Sequence, residues 1–228
     1  RGVATAHMVW GNNVAILTGD LLFARASNLV SGLGQEALQL QAQVFEQLVL
    51  GQLHETIGPQ DGEDSLEHYI QVLRDKTGSL IALSAQLGAM LSGASESYQK
   101  PLKEFGESIG VAFQLVDDII DIQSTKSQSG KIAGTDLLAG VPTLPVLLLA
   151  DHEDPASKQL LVDITEHLDE STLPEILVRL REHQVMEQAR LETLRWADKA
   201  IDALSDLPDS RVRKALEAFA RAVVDRKG

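Results

Sequence analysis

Asp117, Asp118 and Asp121 lie in the segment GVAFQLVDDIIDIQ, residues 110–123, with apolar residues on both sides. Leu102, Phe105, Ile109, Ala112, Val116, Ile119 and Ile120 recur at spacings of three and four, so the segment reads as one buried helix. Helical geometry puts Gly110, Phe113, Gln114, Asp117 and Asp121 on one stripe, roughly 120° from the centre of the apolar face. Asp117 and Asp121 stand one turn apart, with Cβ atoms about 5–6 Å from each other. Two like charges held that close in poor solvent repel unless a cation lies between them. A hard divalent cation suits the position: Mg²⁺ takes one or two carboxylates and completes its shell with water and substrate phosphates. An acidic cluster on a helix is more often a solvated face. Here the apolar flanks, with Gly110 and Gln114 on the stripe, favour the metal.

Other residues suit an anion. Lys76 and Thr77 interrupt the apolar run DKTGSLIALSAQLGA, and Thr77-Gly78-Ser79 is small enough for an anion to approach the backbone. A lone lysine is most often a surface residue with a buried stem. The segment SGKIAGTDL follows the acidic helix and offers Lys131, beside Gly130 and near Gly134, as a point charge for phosphate. It does not match a Walker A pattern, and its value comes from its place in the chain. Gly51-Gln52, with Glu55 a turn later, could face the same cavity, and Phe113-Gln114 offers an aromatic wall and an amide. His7, beside Trp10, reads as structural.

The elements that must position these residues are helices, and no convincing strand appears. Helices are predicted over residues 11–30, 35–57 and 64–90, the last opened by a capping box of Asp64 and Glu67. Pro101 opens the acidic helix, residues 124–135 read as a loop, and 141–150 as a short helix. Asp154-Pro155 and a Thr172/Glu175 capping box start two more, followed by helices over 186–204 and 211–226. The expected architecture is one all-α domain over residues 1–228.

Composition narrows the function classes. The 228 residues are 44% hydrophobic and 23% charged, which is ordinary for a globular chain. A net charge of −13 with no basic patch argues against nucleic acid, and no Lys/Arg-rich run marks an anionic membrane surface. Cysteine is absent, which excludes disulfides and thiolate chemistry and suits a reducing cytoplasm. No stretch approaches ~18 uninterrupted apolar residues, so no membrane span is expected.

Taken together, the motifs resemble the trans-isoprenyl diphosphate synthases, and among them the actinobacterial all-trans polyprenyl diphosphate synthases. RGVATAHMVWGNNVAILTGDLLFARA resembles the stretch after that family's first aspartate-rich motif. KTGSLI resembles its diphosphate-binding Lys-Thr motif, and GVAFQLVDDIID its second aspartate-rich motif. GKIAGTDL and TLP resemble the loop that follows. The resemblance spans essentially the whole chain and implies a helical bundle around a central cavity. It implies that Asp117 and Asp121 bind Mg²⁺, with Asp118 in the metal's surroundings. Lys76 and Lys131 would hold an allylic diphosphate, assisted by Thr77 and Gln52. Arg1 would hold isopentenyl diphosphate, bordered by Phe113 and Gln114. The implied reaction makes a chain of six or more isoprene units, for which a menaquinone side chain is the favoured use. A cytoplasmic homodimer, touching membranes only through its lipid product, is the implied form.

Two departures qualify the resemblance. The first aspartate-rich motif, expected just before Arg1, is not in this sequence, so the domain reads as incomplete at its N-terminus and the chain as written is expected to be inactive. Val141 stands where many relatives have lysine, which removes one phosphate contact. A non-catalytic subunit of a heteromeric synthase is the alternative, and a class I terpene cyclase a weaker one. Arg1, Phe113-Gln114 and the Gly51-Gln52 pair count against the cyclase.

Overall fold

The computed structural model describes residues 3–123 and 133–226. All regular structure among them is helical, as the periodicity predicts. The chain begins with a short helix α1 (Ala6–Trp10), then α2 (Asn12–Ser31) and α3 (Gln35–Ile57). The expected helix over 64–90 is built in three parts: α4 (Ser65–Leu73), a π-helical turn (Arg74–Gly78) and α5 (Ser79–Leu91). The acidic helix is α6 (Gln99–Gln123). There follow α7 (Thr135–Leu138), α8 (Leu144–Ala150), α9 (Pro155–Glu166), α10 (Leu173–Glu182), α11 (Val185–Ala203) and α12 (Arg211–Val224).

The helix starts follow local chemistry. Asp64 accepts a hydrogen bond from the Glu67 amide at 2.7 Å, and Asp154 from the Ser157 amide at 3.0 Å, satisfying amides that have no partner within the helix. The Thr172/Glu175 box does not form. Asp169 takes the Ser171 and Thr172 amides at 2.7 and 3.0 Å, and the Thr172 hydroxyl turns to the His167 carbonyl at 3.0 Å. Thr172 is itself in the helical region, and the Glu175 amide goes to its carbonyl at 3.2 Å and not to its hydroxyl.

Helix α6 runs through the centre, packed chiefly by α5 and α11. Ile109, Val111, Ala112 and Leu115 are fully buried, so the helix is covered on more than the one face that the spacing implies. Two glycines let it approach its neighbour backbone to backbone. A Cβ at Gly106 would lie 2.4 Å from the Ala82 Cα, and one at Gly110 would lie 2.5 Å from the Gly78 Cα. Three apolar clusters flank it: one with α5, α11 and α12, one around Ile122 with α8 to α10, and one joining Tyr69, Val111, Leu115, Leu144 and Ala189.

Helix α2 is different, because none of its residues is buried. With a mean hydropathy of 1.2 it is the one helix among the described residues long and apolar enough to cross a bilayer. Asp20 and Arg25 interrupt its apolar run, which is why the sequence gives no uninterrupted span. It lies along α3, where Phe23 stacks on Phe45 with ring centroids 3.9 Å apart and Gln41 donates to the Ser27 hydroxyl at 2.9 Å.

Candidate active site

The π-helical turn is the local feature that makes the site. Its extra residue sends the Ser79 amide to the Arg74 carbonyl and changes which side chains face inward. Asp75 turns into the protein, where Gln47 donates to its carboxylate at 2.7 Å and Gln71 at 2.9 and 3.0 Å. Lys76 and Thr77 turn to a cavity of about 420 Å³. Gly51 makes this possible: a Cβ there would lie 2.6 Å from the Asp75 Cβ and 3.3 Å from the Lys76 Cγ, so any side chain would hold α3 off the turn.

The cavity lies between this turn and α6. Val72, Leu73 and Leu147 give it an apolar wall, and Lys76, Thr77, Gln114 and Asp118 supply polar groups. A few convergent polar groups on an apolar wall are what a small-molecule site requires. Lys76 Nζ meets Glu55 at 2.5 Å, and Gln52 donates to the same Glu55 oxygen at 2.7 Å. Across the cavity Gln114 donates to the Thr77 hydroxyl at 2.8 Å. That bond locks the phosphate-type end to the acidic helix.

The three aspartates have three environments. Asp117 is paired with Arg226, whose guanidinium also covers the Phe113 ring at 4.3 Å. Asp118 turns to the other side of the helix and accepts on one oxygen from the Tyr69 hydroxyl and from the Leu144 amide, the latter at 2.8 Å. Burial pushes the Asp118 carboxyl up to about 7, although both donors favour the charged form. Burial, reinforced by the Asp118 charge, also raises the Tyr69 phenol well above its usual range. Asp121 accepts from the Asp136 amide at 3.2 Å, and its carbonyl accepts from the Gly134 amide at 2.9 Å. These bonds tie the end of α6 to α7.

The cavity therefore brings together Lys76, Thr77, Gln114 and Asp118, with Gln52 reaching it through Glu55. Phe113 packs under Arg226, and Asp117 and Asp121 stand on the α6 stripe beside it. Arg1 and Lys131 lie outside the described residues. Among the described residues no three His, Asp or Glu side chains converge closely enough to hold a metal by themselves. The donor set still fits a hard divalent cation such as Mg²⁺, which needs only one or two carboxylates when phosphate oxygens complete its shell; Asp117 and Asp121, one turn apart, are the pair that would supply them. Tyr69 and Arg226 are the site residues that sequence reasoning missed. Tyr69 carried a signal, since it precedes Lys76 by two turns on the same helical run. Arg226 carried none, because it is 109 residues from Asp117.

The chain that carries this arrangement has counterparts among known proteins. The family model described as polyprenyl synthetase matches residues 1–179. The chain belongs to that family. It is 42% identical over 229 residues to a nonaprenyl diphosphate synthase of Mycobacterium tuberculosis, covering 100% of this chain and 68% of the relative. It is 33% identical to an octaprenyl diphosphate synthase of Haemophilus influenzae, over 99% of this chain and 69% of that one. A geranylgeranyl pyrophosphate synthase of Corynebacterium glutamicum, crystallised with calcium and isoprenyl diphosphate, superposes with a TM-score of 0.86 at 43% identity, covering 99% of this chain and 70% of that one. The fold is thus the all-α isoprenoid synthase fold.

Proposed function

We propose that this protein is a trans-prenyltransferase that condenses an allylic diphosphate with isopentenyl diphosphate to make a polyprenyl diphosphate. The observation that carries the reading is the Thr77–Gln114 bond, which sets the cationic Lys-Thr turn against the acidic helix across one cavity. The relatives named for nonaprenyl and octaprenyl products support a long chain.

In this reading the allylic C–O bond breaks heterolytically, and negative charge builds on the departing diphosphate. Lys76 and Thr77 are placed to donate to those oxygens, preorganised so that they stabilise the charge as it develops. Mg²⁺, held by Asp117 and Asp121, would supply further charge neutralisation at the diphosphate. Val72, Leu73 and Leu147 keep water from the allylic cation. The double bond of isopentenyl diphosphate then attacks the cation to form the new C–C bond. The departing diphosphate is placed to take the proton whose loss leaves a trans double bond.

Several finer features belong to the same proposal. Mg²⁺ is assigned as the working ion, supported by the calcium in the C. glutamicum complex. A homodimer is supported by the apolar residues that α1 and α2 leave exposed, among them Trp10, Leu17 and Leu22. Work in the cytoplasm, on a quinone side chain such as that of menaquinone, completes the reading. The test is a product assay on the full-length protein with Mg²⁺, isopentenyl diphosphate and farnesyl or geranylgeranyl diphosphate, read by mass. Long all-trans products establish the function. No turnover from a folded protein refutes it in favour of a non-catalytic subunit.

A further inference from the structure

Both ring nitrogens of His68 meet acceptors. Nε2 lies 3.2 Å from the His54 carbonyl oxygen, and Nδ1 lies 3.2 Å from Glu63 Oε2. A neutral imidazole has one N–H, so it would satisfy one of these contacts and turn a lone pair on the other. Only the doubly protonated ring donates to both. The surroundings suit that cation. The His54 carbonyl belongs to the last turn of α3, the negative end of the helix dipole. The Glu63 carboxyl is held below its usual range, by the Gln60 amide first and by His68 second. These contacts also fix one wall of the cavity. Glu63 Oε2 accepts from the Gln60 amide at 2.9 Å, and the His54 carbonyl from the Gly58 amide at 2.9 Å. His68 therefore joins both ends of the loop between α3 and α4, and Gly58, Pro59, Ser65 and His68 itself line the cavity.

We infer that His68 is a positioning residue operated by pH: its protonated ring clamps the α3–α4 loop as a wall of the cavity and gives the cavity a second positive charge, so that diphosphate binds more tightly when His68 carries its proton. The inference rests on the proposed function for the identity of the anion. Among the described residues that line the cavity, the carboxyl groups of Glu55, Asp118 and Asp136 face one lysine, Lys76. Such a cavity is a poor host for diphosphate until a further cation joins it. The titratable groups around the ring are Glu63 on the loop, His54 on α3 with its ring centroid 6.4 Å away, and those four residues of the cavity. The proton on His68 and the bound diphosphate are then two ligands with a coupling between them, usually about 5–150-fold. The low end, about 5-fold, is expected here because Glu63 already shares the charge.

The test is calorimetric titration of the full-length protein with inorganic diphosphate and Mg²⁺ at about pH 6 and about pH 8, on either side of the histidine range. Diphosphate and Asp118 also change charge there, so each variant is read as its ratio to wild type at the same pH. His68→Gln should bind about 5-fold more weakly than wild type at the lower pH and equally at the higher. His68→Lys, charged at both, should bind more tightly than wild type at the higher pH. His54→Gln keeps the backbone carbonyl and should follow wild type. Because coupling is reciprocal, bound diphosphate should move the His68 ring titration, followed by nuclear magnetic resonance, to higher pH. A His68→Gln ratio that is the same at both pH values overturns the inference, and so does a ring titration that diphosphate leaves in place. If wild type binds no diphosphate at either pH, the proposed function fails, and the clamp is judged by Glu63→Gln. That change should move the His68 titration to lower pH, and an unmoved titration refutes the clamp on its own.

Discussion

Gly110→Ala would place a methyl group between two backbones that already touch. The new Cβ would lie 2.5 Å from the Gly78 Cα and 2.8 Å from its amide nitrogen, where ordinary contact begins near 3.4 Å. Both obstacles are main chain, so no side-chain rotation relieves them, and the π-helical turn must move off α6 by about 0.9 Å. Overpacking of this kind costs about 1–3 kcal/mol. Alanine returns about 1 kcal/mol through its better helix propensity. The expected net loss of about 1 kcal/mol lowers the thermal midpoint by only about 2–4 °C in a chain of this size.

Activity should suffer far more than stability. Gly78 follows Lys76 by two residues in the turn, so the displacement carries Lys76 and Thr77 away from Gln114. A misplacement of about 1 Å can cost about 100-fold in rate. The assay pairs thermal unfolding with steady-state turnover, and Gly88→Ala serves as the control. Gly88 is helical and exposed, and a Cβ there meets nothing within 4 Å, so alanine should stabilise by up to about 1 kcal/mol at unchanged turnover. If Gly110→Ala also gains stability and keeps full turnover, close approach of α6 to the turn is not what positions Lys76.

Asp117→Ala should abolish turnover of the full-length protein while leaving helical circular dichroism intact; surviving activity would remove Asp117 from the metal site. Phe23→Ala should lengthen the product if the Phe23–Phe45 stack blocks the path of the growing chain; an unchanged product distribution on mass analysis would leave the pair to packing alone. The part of the stability that His183 controls should fall as pH drops below about 6.5. Desolvation first, then the neighbouring His152, lowers the His183 pKa, while Asp154 opposes the shift, so the folded state binds protons less readily than the unfolded one. Between pH 8 and pH 5.5 the wild-type thermal midpoint should drop relative to that of His183→Gln, while Asp118, whose carboxyl burial raises to about 7, acts in the opposite direction in both proteins.

The parts of this site that could be read in the sequence are those with a local cause. The period of apolar residues around Asp117 gives α6, and the Asp64 and Asp154 caps give helix starts, because a few neighbouring residues determine each. The Lys76-Thr77 pair was legible as a polar break in an apolar run for the same reason, and it lines the cavity. The π-helical turn was not, since an inserted residue in a helix leaves the apolar pattern nearly intact over a short window. Its visible consequence lies elsewhere, in glycines at 51, 106 and 110, which mean close approach only once their partners are known. The different partners of the aspartates were hidden in the same way. Tyr69 and the Leu144 amide reach Asp118 from elements 49 and 26 residues away, and Arg226 reaches Asp117 from the far end of the chain.

These long-range partners change how binding must be understood. Lys76 is matched by Glu55 and Asp117 by Arg226. Charges in a cavity walled partly by apolar side chains would otherwise carry a desolvation cost with nothing to offset it. Under the proposed function, substrate binding would be an exchange of partners. A diphosphate would take up donors of Lys76 that Glu55 holds, and Arg226 would have to leave Asp117 for that carboxylate to reach a metal. Asp118 stands outside this exchange, because its partners are a buried phenol and a backbone amide that carry no charge to be swapped. Within a motif five residues long, Asp117 and Asp118 are thus separated by what each is paired with: a guanidinium for one, a phenol and a backbone amide for the other.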